Sequence, residues 1–138
     1  TLAIECSGQF GSVALRTEHE VHQLSLPKNR STAQSIAASI QELLTADKVT
    51  ASSLNLIAVT HGPGSFTGLR VGLGLARAIS FATNVATIGV SSLAVIAHED
   101  TRAAIEPGPL VAVLNAYRNE LFVAAFELKA DQHSVVRL

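Results

Sequence analysis

Apolar and polar positions alternate in short runs at the start of the chain. SVALR (12–16) and EVHQLSL (20–26) are such runs, and LAIEC (2–6), before the turn-rich SGQFG (7–11), is a short apolar run. Period-two runs joined by tight turns predict three strands in an antiparallel meander. The period then lengthens. Ala33, Ile36, Ala37, Ile40, Leu43 and Leu44 recur at helical spacing, and Ser31 and Gln34 stand as a capping box before them. LNLIAVTH (54–61) is apolar without polar interruption, as expected for the middle of a sheet. A further buried strand is predicted over VATIGVS (85–91), with helices from about residue 65 to Asn84 and over SLAVIAHE (92–99). The order is therefore β-β-β-α-β-α-β-α. A doubly wound dinucleotide fold would alternate strand and helix from the start.

DTRAAIEPGP (100–109) reads as a polar linker. LVAVLNA (110–116) and ELFVAAFEL (120–128) then restart a strand–turn–strand pattern, and SVVRL opens a third strand. The second half begins as the first did. The expectation is an α/β protein with one lobe over 1–105 and the beginning of a second, similar lobe over 106–138.

Composition narrows the classes of function. Of 138 residues, 48% are hydrophobic and 15% charged, and the formal net charge is −1. No basic block is present to displace counterions from a nucleic acid, so direct RNA binding is not indicated. No apolar run is long enough to cross a membrane. The N-terminal residues lack a signal-peptide pattern, and the missing initiating methionine points to processing or trimming. One cysteine, Cys6, forbids an internal disulfide and fits a reducing cytoplasm.

HGPGSFTGLRVGLGLARA (61–78) is the most unusual stretch. A phosphate loop of the Walker type needs a lysine after its last glycine, and none follows. Gly62, Gly64 and Gly68 are spaced one residue too widely for the dinucleotide fingerprint. A nucleophile elbow fails as well, because Pro63 precedes Gly64–Ser65. What remains is a helix N-terminus near Ser65, Phe66 and Thr67, whose free N–H groups could accept an anion or be capped by Ser65 or Thr67. Along the helix, Gly68, Gly72 and Ala76 form one row of small residues, and Gly74 and Ala78 another. An interior glycine costs about 1 kcal/mol against alanine, so each row must be offset by close packing. One row can lie on the protein's own sheet while the other admits a partner, with Arg70 and Arg77 flanking the seam.

GPGSFTGLRVGLGLARAISFA (62–82), followed by IGVSSLAVIA (88–97), resembles the bacterial TsaB family, also called YeaZ. LAIECS, TAQSIAASIQELL and LNAYRNELFVAAF extend the resemblance over nearly the whole chain. It implies an actin-like ATPase (ribonuclease H-like) fold of two related lobes. It also implies a non-catalytic paralogue of TsaD, the protein that transfers the threonylcarbamoyl group to the tRNA adenosine beside the anticodon. The implied partners are a TsaD homologue, with the ATPase TsaE in the complex, and a second copy of the chain in isolation. The tRNA is met only through the complex, no cofactor is bound by this chain, and ATP and a metal belong to the partner proteins.

The expected interface joins Gly68, Arg70, Gly72, Gly74, Ala76 and Arg77 to Ile36 and Ile40 of the preceding helix. A weaker anion or nucleotide contact is expected at Ser7, Gly8, Ser65 and Thr67, where actin-like folds meet phosphates. Glu5 stands where the family commonly has aspartate, Thr32 where it often has histidine, and Arg118 follows Asn115–Tyr117 where it often has Asp then Ala-Arg. The competing reading is an actin-like nucleotide hydrolase or a glycoprotease-like peptidase. The catalytic relative's metal site uses two histidines four apart on a helix. His19, His22, His61, His98 and His133 form no such pair, Cys6 has no evident base, and no catalytic or metal-binding residue is assigned.

Overall fold

The structure is a computed structural model and describes residues 1–27, 32–100, 107–117, 119–129 and 135–137. It contains two compact units, the first made of Thr1–His61 with Ser65–Gly89 and the second of Gly62–Gly64 with the chain from Val90 onward. The capping box at Ser31 and Gln34, the side chain of Thr32, Arg118 and His133 lie outside the described residues.

The first unit is built on a five-stranded sheet. β1 (Leu2–Glu5), β2 (Ser12–Arg16) and β3 (Val21–Ser25) form the expected antiparallel meander, with Ile4 opposite Val13 and Val13 opposite Leu24. The free edge of β1 pairs in parallel with β4 (Ile57–Gly62), Ile4 opposite Val59. β5 (Thr87–Ser91) completes the order β3-β2-β1-β4-β5. Strand alternation sends Leu2, Ile4, Val13 and Leu15 to one face, where α1 (Thr32–Ala46) and α2 (Phe66–Thr83) cover them. Ile36, Ile40, Leu43, Leu44, Val59 and Ala76 belong to the same core.

Three expectations change. β4 begins at Ile57, because Ala51–Ser53 forms a short 3-10 turn ahead of Leu54. The buried face of α1 is rotated: Ser35 and Ser39 are buried beside Ile36 and Ile40, while Ala37 is exposed. The strand expected to be buried over 85–91 is an edge strand: among the described residues no strand pairs with its far side, and Thr87, Ile88 and Gly89 are exposed.

In the second unit, α3 (Ser92–Asp100) packs on β6 (Gly108–Tyr117), β7 (Glu120–Leu128) and β8 (Val135–Arg137), which run in the order β6-β7-β8. Leu93 and Ala97 of α3 meet Ala112, Ala124 and Phe126, all from one face of the strand pair. Val111, Val113, Leu121 and Val123 occupy the opposite face and are exposed.

Candidate docking helix and the turn beneath it

β4 leaves the sheet through Gly62, whose φ of 109° is open to glycine and strained for other residues, and the Gly62–Pro63 peptide is cis. Ser65 caps α2, its hydroxyl accepting the Gly68 N–H at 3.2 Å. The helix closes at Asn84, in the left-handed conformation that asparagine tolerates, with its N–H donating to the Ser80 carbonyl.

The two rows of small residues face opposite ways. Gly68, Gly72 and Ala76 are buried. A β-carbon on Gly68 would collide with the Cys6 carbonyl oxygen, and one on Gly72 would stand 3.3 Å from Cys6 Cβ and 3.4 Å from its Sγ. This row lets α2 approach β1 closely. A β-carbon on Gly74 would meet nothing within 4 Å. The outer stripe is apolar nonetheless: Phe66 is 73% exposed, Leu73 37% and Phe81 94%. At 3.6 residues per turn, positions 66, 70, 73, 74, 77, 78 and 81 fall within an arc of about 140°. The Arg70 guanidinium lies over the Phe66 ring, 5.4 Å from its centroid, and Arg77 is exposed on the same side.

The expected interface set therefore divides. Arg70, Gly74 and Arg77 share the exposed stripe. Gly68, Gly72, Ala76, Ile36 and Ile40 lie in the chain's own core and offer no surface, since close helix–sheet packing consumes them. Phe66, Leu73 and Phe81 were missed. Their spacing of seven or eight residues marks one helical stripe, but large apolar residues on a helix that is apolar all round do not reveal which side faces water.

The expected anion contact has an occupant of its own. The Ser7 N–H donates to Glu5 Oε1 at 2.6 Å, and the Ser7 hydroxyl donates to the same oxygen. Ser65 uses its hydroxyl as the helix cap, and Gly8 and Thr67 are exposed. The donors that would hold a phosphate at Ser7 are thus taken by a carboxylate, and these residues do not fit the group. Burial, and secondarily the Glu5 carboxylate, push the neighbouring Cys6 thiol up to about 11, which keeps it protonated and weakly nucleophilic.

Elsewhere, His22 is gripped by two carboxylates, Nε2 at 2.9 Å from Glu20 Oε2 and Nδ1 at 2.7 Å from Asp47 Oδ1. Among the described residues no three His, Cys, Asp or Glu side chains form a group that could hold a metal ion.

The family described as "TsaD: tRNA N6-adenosine threonylcarbamoyltransferase" matches residues 27–136. A Buchnera aphidicola protein named "tRNA threonylcarbamoyladenosine biosynthesis protein TsaB" is 32% identical over 81% of this chain and 53% of its own length. The Escherichia coli protein of the same name is 34% identical over 70% of this chain and 42% of its own. The solved structure of YeaZ from Pseudomonas aeruginosa superposes with a TM-score of 0.87 at 27% identity, covering 98% of this chain and 63% of that one. The chain belongs to the TsaB (YeaZ) family. It spans about half the length of the curated TsaB relatives it matches. The chain follows the β-β-β-α-β-α-β-α order, and the match to YeaZ gives it the actin-like ATPase fold. Among the described residues no helix is long and apolar enough to cross a membrane.

Proposed function

We propose that the chain is a non-catalytic docking partner of a TsaD homologue in the formation of threonylcarbamoyladenosine in tRNA. The family names support the process, and the outer stripe of α2 carries the docking role. Phe66, Leu73 and Phe81 line one exposed helical face beside a glycine with open space above it. Apolar side chains scattered singly on a surface are ordinary, whereas an aligned row marks a surface for another protein. Arg70 and Arg77 border the row and would pair with carboxylates at the partner's rim.

On this reading the same face serves a second copy of the chain in isolation, and TsaE joins at the level of the complex. ATP, metal and tRNA are handled by the partner proteins, and the assembly works in the cytoplasm. The first lobe is taken to end before α3 rather than at residue 105, because α3 packs with the strands of the second unit, which opens the second lobe. The hydrolase or peptidase reading is less favoured, because the Cys6 thiol is buried and protonated and the Ser65 hydroxyl is engaged as a cap. The test is co-purification with the cell's TsaD homologue, followed by a tRNA modification assay with and without this chain. Retention by TsaD and modification dependent on the chain are expected. Modification that proceeds equally without it, or a threonylcarbamoyl transfer or proteolysis by the chain alone that a point mutation abolishes, contradicts the proposal.

A further inference from the structure

Glu5 reaches the docking helix through a short series of contacts, all within the first unit. Its Oε1 accepts both the N–H and the hydroxyl of Ser7. The Ser7 carbonyl accepts the Ser65 N–H at 2.7 Å. The Ser65 hydroxyl accepts the Gly68 N–H, and the Gly68 α-carbon leaves no room for a substituent against the Cys6 carbonyl. Phe66 follows Ser65 directly, and its ring lies beneath Arg70.

We propose that Glu5 is a positioning residue for the docking helix: its carboxylate holds Ser7 through the Cys6–Ser7 peptide and the hydroxyl, and Ser7 in turn holds Ser65 and so the first turn that presents Phe66 and Arg70. Ser7 is buried, so water cannot freely replace the carboxylate. A buried N–H and O–H left without an acceptor would drive the Cys6–Ser7 peptide to rotate, which moves the Cys6 carbonyl that faces Gly68 and displaces Ser7, whose own carbonyl holds the Ser65 N–H. The effect on docking rests on the reading of α2's outer stripe as the partner surface; the effect on the first turn does not.

Two measurements on the whole chain separate these. The first follows the backbone amides of Ser65, Phe66 and Gly68 by NMR in the free protein. In Glu5→Ala these resonances should shift, and in Glu5→Gln, which keeps an acceptor oxygen, they should return towards wild type. Leu43→Val trims the core on α1 and touches none of these contacts, so it should leave them in place. The second measures affinity for the TsaD homologue, expected to fall about tenfold in Glu5→Ala and to recover in Glu5→Gln. Unmoved Ser65 and Gly68 amides in Glu5→Ala, or equal movement in Leu43→Val, overturn the inference. Shifted amides with an unchanged affinity overturn its docking consequence. If the wild-type chain itself fails to bind TsaD, the docking reading falls, and the amide shifts alone decide whether Glu5 sets the first turn.

Discussion

One added methyl group should have three different effects along α2. Gly68→Ala forces a β-carbon into the Cys6 carbonyl and should lower stability by about 1–3 kcal/mol. Gly74→Ala meets open space, so helix propensity alone acts, and stability should rise by about 0.5–1 kcal/mol. Gly72→Ala, with contacts at 3.3–3.5 Å, should fall between the two. Chemical denaturation midpoints measure the series, and a uniform shift at all three would contradict the assigned faces. Cys6 provides a test in pH. Its folded-state thiol is raised from 9.0 to about 11, so the folded protein holds that proton more tightly than the unfolded chain. Stability from this group is complete below pH 9 and is lost as pH rises towards 11. Cys6→Ala should remove that part of the slope, measured as the denaturation midpoint against pH. These faces were only partly legible in the sequence. The rows 68/72/76 and 74/78 are plain in the spacing, but glycine carries no polarity to say which row faces inward. Ser35, Ala37 and Ser39 pose the same difficulty on α1, where small residues of either polarity fit a close contact.

At the scale of elements, α2 owes its start to a cap and its outer face to alignment. Ser65→Ala removes the acceptor for the Gly68 N–H and should lower stability by about 1 kcal/mol in a thermal or denaturant melt. The strand meander, both long helices and the β6–β7 pair were readable from period alone. The strand at β5 was readable too, but its edge position was not, because its apolar composition resembles a central strand. The β6–β7 pair carries exposed Val111, Val113, Leu121 and Val123 on one face. Its amides should exchange with solvent faster than those of β1 and β4, which lie inside the five-stranded sheet. Protection of β6–β7 equal to that of β4 would mean that another surface covers the pair.

The whole molecule combines a TsaB-like fold with a helix whose inner face is fitted to its own sheet and whose outer face is apolar and free of intramolecular packing at Gly74. The Ser7 turn, which the fold would let one read as a phosphate contact, is filled by Glu5. That detail was beyond the sequence, since it depends on a carboxylate turning towards the backbone two residues ahead. The proposed docking role rests on the outer stripe, and affinity for the TsaD homologue tests it most directly. Calorimetric titration of wild type and Phe81→Glu, with thermal melts of both, is the measurement. Phe81 is almost wholly exposed, so the substitution should leave the melt unchanged. Wild type should bind, and Phe81→Glu should lose at least about tenfold in affinity through the buried charge. A variant that melts and binds like wild type, or a wild type with no affinity for TsaD, would contradict that role.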